Sequence, residues 1–306
     1  MAATTIKARF RTASMLMKII YINIAVFIVI RLTAIIGILF NADSAAVQTF
    51  VAMPDSFPLL AHRPWTIFTY MFAHYDVLHI LFNMLWLYWF GKIFLFSSTP
   101  KQLTVLYLYG GIAGGLLFIL AFSTLPYFAG KSALLIGASA SIMAVVLATA
   151  IRHHDYAFNL LFIGSVQLKW IAIITIGIDL LSITDVNSGG HIAHIGGAII
   201  GAIYALALNR GIDITRPINK FFDFVVSLFS RNKQPKIKRP KRQKTKKSSK
   251  TATSETRAEF DSKDETISKS DQEELDAILA KVKQSGYSGL TAEEKSRLFN
   301  VSKRIK

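Results

Sequence analysis

The chain contains no cysteine. That excludes disulfides, thiolate nucleophiles and cysteine-ligated metals. Charge is also scarce. Asp, Glu, Lys and Arg make up 18% of the 306 residues, where a soluble domain carries about 25%. No HExxH zinc signature occurs, and the first apolar run lacks a small-residue cleavage site, so it reads as a retained span and not a signal peptide. The remaining absence is local. Residues 231–250 hold eleven Lys or Arg and no acid, which accounts for most of the net charge of +16. No aromatic interleaves these bases, which argues against nucleic acid as a partner. A solvated tail that enforces topology, able to meet anionic lipid headgroups, fits the tract.

What is present is apolar. Hydrophobic residues make up 52% of the chain and the mean hydropathy is +0.40. The excess lies between residues 19 and 209, in runs near the ~20 residues that cross a bilayer. Six spans are expected, at about 19–40, 75–97, 103–125, 133–151, 167–184 and 190–209. The expected fold is an all-α polytopic membrane protein with a six-helix bundle and a small cytosolic helical C-terminal module. Lys and Arg collect at alternate span ends, which places the N- and C-termini in the cytoplasm. A bacterial inner (plasma) membrane is the expected location.

The chain divides by composition. Residues 1–15 form a cytoplasmic tail, 16–211 the six-span domain, and 212–230 an interfacial amphipathic helix. Residues 231–267 read as a basic disordered linker. Residues 268–306 read as a helical hairpin, signalled by capping boxes at Ser270/Glu273 and Thr291/Glu294. The loop 42–74 is long and half apolar, with Trp65 and Tyr70 as interfacial anchors. Glycines at small-xxx-small spacing in spans three and six mark close helix contacts.

Polar side chains inside apolar spans are functional candidates. If span four starts at Ala133, Ser139 lies ~9 Å below its end; His194 lies ~8 Å down span six and His79 ~10 Å down span two, with Asn83 one turn deeper. A serine, two histidines and an asparagine thus share one level. That set suits acyl transfer: Ser139 as nucleophile, His194 as base, and His79, Asn83 and the Ser139 amide as oxyanion donors. Gly137 lets the chain turn before the serine. Ser139 and Ser141 stand ~200° apart on a helix, so Ser141 is left as a packing hydroxyl.

The stretches 74-HYDVLHILFNMLWLYWFG-91, 137-GASAS-141 and 191-HIAHIGGAIIG-201 resemble the rhomboid family of intramembrane serine proteases, over about residues 16–210. The resemblance implies a Ser139–His194 dyad with oxyanion stabilisation by His79 and Asn83. It implies support from His74 and His191, no carboxylate third member and no cofactor. The implied substrates are single-span membrane proteins cleaved near the outer leaflet. Asp179, near one end of span five, is read as structural. Three positions depart from the family pattern: Ala140 where glycine is common, Met143 where an aromatic often packs on the histidine, and Trp65-Thr66 in place of Trp-Arg. Two alternatives stand beside the protease. One is a non-proteolytic rhomboid-like binder of membrane segments. The other is a metal site built from His74, His79, His191 and His194.

Overall fold

The computed structural model describes residues 6–43, 45–160, 164–229, 278, 280–282, 290–291, 293–296 and 298. The chain separates into two compact units, 1–235 and 236–306. In the first, the helices are α1 (Ile6–Thr12), α2 (Met15–Leu39), α3 (Ala46–Val51), α4 (Phe57–His62), α5 (Thr66–Thr69), α6 (Val77–Phe94), α7 (Pro100–Thr124), α8 (Ser139–Arg152), α9 (Leu168–Leu181), α10 (Ser188–Asn209) and α11 (Arg216–Phe229). Two antiparallel ribbons complete it: β1 (Met53–Pro54) with β2 (Leu134–Leu135), and β3 (Ala157–Leu160) with β4 (Gly164–Gln167).

Among the described residues, α2, α6, α7 and α10 are long and apolar enough to cross a membrane. Their outer faces carry large exposed apolar side chains, such as Ile28, Val29 and Leu32 on α2 and Leu78 and Leu81 on α6. α8 and α9 have 14 residues each, or about 21 Å, short of the ~30 Å hydrocarbon core. α8 tolerates this because it is the central helix. Every residue from Ala140 to Ala150 is buried, against α6, α7, α9 and α10. Non-helical backbone at membrane depth is tolerated where protein covers it.

Here the structure corrects the sequence reading. Span four does not start at Ala133. Residues 134–135 are extended and pair with β1, the Ala133 amide donates to Asp55 Oδ2 at 2.8 Å, and the helix begins at Ser139. The apolar run Ala133–Ile136 looks helical by hydropathy, but Gly137, at φ +126°, breaks the chain there.

Small residues bring α7, α8 and α10 together. A Cβ on Gly197 would collide with the Ala140 carbonyl oxygen, and one on Gly201 with that of Ala144. These are backbone atoms, so they cannot swing aside. A buried polar chain ties α2 to α7: Asn23 Nδ2 donates to Tyr107 Oη at 3.2 Å, and that hydroxyl donates to the Met71 carbonyl at 2.6 Å.

The segment before α6 is pinned by side chains. Arg63 donates to the Thr49 carbonyl at 2.6 Å, Trp65 Nε1 to that of Phe50 at 2.9 Å, and Thr69 to that of Val51 at 2.8 Å. Arg63 thus braces the loop although it stands before the tryptophan. α11 exposes Phe221, Phe222 and Phe224 and is held to α7 by the Lys101–Asp223 ion pair. In the second unit, Thr291 and Glu294 exchange backbone and side-chain hydrogen bonds, a capping box. The basic tract 231–250, the linker 231–267 and the Ser270/Glu273 box lie outside the described residues.

Candidate active site

Ser139 is the first residue of α8. The first amides of a helix have no intrahelical acceptor, and the helix dipole makes that end electropositive. A nucleophile here stands beside free N–H donors. The approach to it is built in three steps. The Gly137 amide donates to the Tyr70 carbonyl at 3.0 Å. Gly137 itself lies so close to His79 that an added Cβ would meet the ring Cε1 at 2.7 Å. The Ala138 amide then donates to His74 Nε2 at 3.3 Å. His74 is fully buried. Burial, helped by the neighbouring His79 ring, lowers it to about 4, so at neutral pH it is uncharged and Nε2 is the acceptor. The two rings meet edge-on at 5.1 Å.

Ser139, His194, His79, Asn83 and Met143 all line one cavity of about 460 Å³. Phe82, Trp86, Ile142 and Ile178 make its apolar wall, with Asp179 and Thr175 from α9. Its size is that of a small-ligand pocket. Asn83 Nδ2 donates to the His79 carbonyl at 2.9 Å, which uses one amide hydrogen and leaves the second for the cavity. No hydrogen bond joins the Ser139 hydroxyl to His194 among the described residues. Ser141 is fully buried, on the side facing α7, where Gly111 has no room for a Cβ beside its Oγ. Ala140 also faces away from the cavity, packed on Gly114 of α7, so its methyl does not fill the site.

The contacts of Asp179, read from the sequence as structural, were not foreseen: its Oδ1 lies within hydrogen-bond distance of the Nδ1 atoms of both His194, at 2.8 Å, and His191, at 2.9 Å. The available signal was an acid inside an apolar span. The four-histidine metal set does not assemble among the described residues. The groups that could hold a cation are Asp179, His191 and His194; His74 and His79 are not among them.

Long apolar helices with outward hydrophobic faces define an integral, all-α polytopic membrane protein. Residues 61–211 match the Rhomboid domain family, and this part of the chain is a Rhomboid domain. The match starts at 61, later than the 16–210 read from the motifs. Residues 266–304 match a family of unknown function (DUF6576). Over 175 residues the chain is 30% identical to RHOMBOID-like protein 12, mitochondrial, of Arabidopsis thaliana, across 54% of this chain and 52% of that protein. The chain thus spans about half the length of that relative.

Proposed function

We propose that the chain is an intramembrane serine endopeptidase that cleaves transmembrane segments of single-span membrane proteins near the outer leaflet. The observation that carries this is the placing of Ser139, at the N-terminus of α8, in one cavity with His194, His79 and Asn83. Ser139 Oγ attacks the substrate carbonyl carbon while His194 takes its proton. The oxyanion receives hydrogen bonds from the Ser139 amide, His79 and Asn83. The C–N bond breaks as His194 passes the proton to the leaving amine. A water then attacks the acyl-enzyme with His194 again as base, and Ser139 recovers its proton. A Ser–His hydrogen bond that is open without substrate is compatible with this, because catalytic bonds often tighten only in the complex.

A substrate helix hides its carbonyls in i to i−4 bonds. Segments with Gly, Pro or small polar residues near the scissile bond are therefore the proposed substrates. In the proposed topology both termini are cytoplasmic in a bacterial inner membrane, and residues 231–250 meet anionic headgroups.

The test is cleavage of a single-span reporter by the purified full chain in liposomes. Ser139→Ala abolishes cleavage with expression unchanged; persistent cleavage refutes the assignment. The unclosed Ser139–His194 pair favours a second reading, a non-proteolytic binder of membrane segments. Reporter capture without cleavage by the unmutated chain establishes that reading instead.

A further inference from the structure

We infer that Asp179 is a positioning residue for His194, turning the expected Ser–His pair into a Ser–His–carboxylate arrangement. This rests on the proposed protease reading. Asp179 sits in the last turn of α9, where the helix dipole disfavours an acid. It is 4% exposed. Its ion-pair partners among the described residues are the two histidines of α10 and no Lys or Arg. An uncompensated buried acid is costly, so its retention beside these rings calls for a role.

The geometry supplies one. A carboxylate only accepts hydrogen bonds, so a ring nitrogen 2.8 Å from Oδ1 must carry the proton. His194 is thereby held as the Nδ1–H tautomer, with the Nε2 lone pair left as the base. That is the tautomer needed to take a proton from Ser139, and the role a buried carboxylate plays toward a catalytic imidazole in unrelated serine hydrolases. Asp179 itself stays ionised throughout. The proton moves from Ser139 Oγ to His194 Nε2 and on to the leaving amine. The carboxylate faces the imidazolium that forms in between. His191, three residues before His194, binds the same oxygen at 2.9 Å and so fixes the carboxylate rotamer.

The second oxygen makes the substitutions informative. Oδ2 is buried with no protein donor among the described residues. Asn at this position can place its carbonyl where Oδ1 was, keeping the tautomer but losing the charge. Leu removes the acceptor altogether.

The experiment uses the full chain in liposomes with the single-span reporter, comparing Asp179→Asn and Asp179→Leu with the unmutated protein. Ring ¹⁵N spectra of His194 are recorded alongside, assigned with His194→Gln. The expected result for D179L is a kcat lower by on the order of 10²- to 10⁴-fold, KM held within about threefold, and an Nε2–H tautomer appearing in the spectrum. D179N falls between, with the Nδ1–H tautomer retained. Should D179L not fold, D179N decides through its kcat loss at constant KM. Values of kcat within about threefold of the unmutated protein in the variants that fold overturn the inference, as does a loss of kcat in folded D179L with the His194 tautomer unchanged. If the unmutated chain shows no Ser139-dependent cleavage, the protease reading fails separately. The tautomer comparison then still supports or overturns the role of Asp179.

Discussion

Gly137→Ala separates conformational from steric demands beside Ser139. Two costs apply. At φ +126° a side chain is strained by about 1–3 kcal/mol. The new Cβ also lies 2.7 Å from His79 Cε1 and 3.0 Å from Nε2, an overpacking that costs about 1–3 kcal/mol more. The sum of about 2–6 kcal/mol is a large share of a stability of about 5–15 kcal/mol. Relief requires His79 or the 136–138 backbone to shift, and a 1 Å misplacement of reacting groups costs about 10²-fold in rate. Gly130→Ala is the control. Gly130 also has positive φ, +76°, but nothing lies within 4 Å of an added Cβ, so only a backbone cost of about 1–2 kcal/mol applies. The assay is the thermal midpoint of each purified variant in detergent, with reporter cleavage beside it. G137A is expected to melt below G130A and to lose about 10²-fold in cleavage, while G130A keeps its activity. A G137A protein no less stable and no less active than G130A refutes the reasoning.

Other outcomes follow from the same structure. Gly197→Ala drives a methyl into the Ala140 carbonyl, which cannot move without separating α8 from α10; expression of folded protein should drop sharply, and an unchanged melting midpoint contradicts the packing. Tyr107→Phe leaves buried Asn23 and the Met71 carbonyl without their shared hydroxyl, a loss of about 1–3 kcal/mol read as a lower midpoint with α2 still in place. His74 is held near 4 by burial, below its ordinary 6.5. The unfolded chain therefore binds a proton that the folded one refuses, and stability is full above about 6.5 and falls as pH drops toward 4, by about 3 kcal/mol. Melting midpoints measured from pH 7 to 5 should flatten in His74→Gln; parallel curves refute the assignment to His74.

The motifs made the candidate residues legible. His79 and Asn83 at i and i+4, Gly137 before Ser139, and His194 on its glycine-rich helix could each be read locally. The geometry that joins them could not. The common-depth argument put Ser139 inside a helix, because Ala133–Ile136 is as apolar as a span. The deciding contacts are long-range, the pairing of Leu134–Leu135 with Met53–Pro54 and the hold of His74 on the Ala138 amide. Asp179 was visible as an acid in an apolar run. Its partners lie on the next helix, and no local period connects α9 to α10. The bracing role of Arg63 escaped for the same reason, since its acceptor is the Thr49 carbonyl. Helical rotation alone separates Ser141 from Ser139, and Ser141 is buried against α7.

The central claim is that Ser139 is an activated nucleophile. It is tested most directly by treating the purified full chain with a fluorophosphonate and locating the adduct by mass spectrometry. The account predicts one adduct on Ser139, none on Ser141, and loss of labelling in His194→Gln. An adduct on another residue, no adduct at all, or labelling that persists without His194 contradicts it.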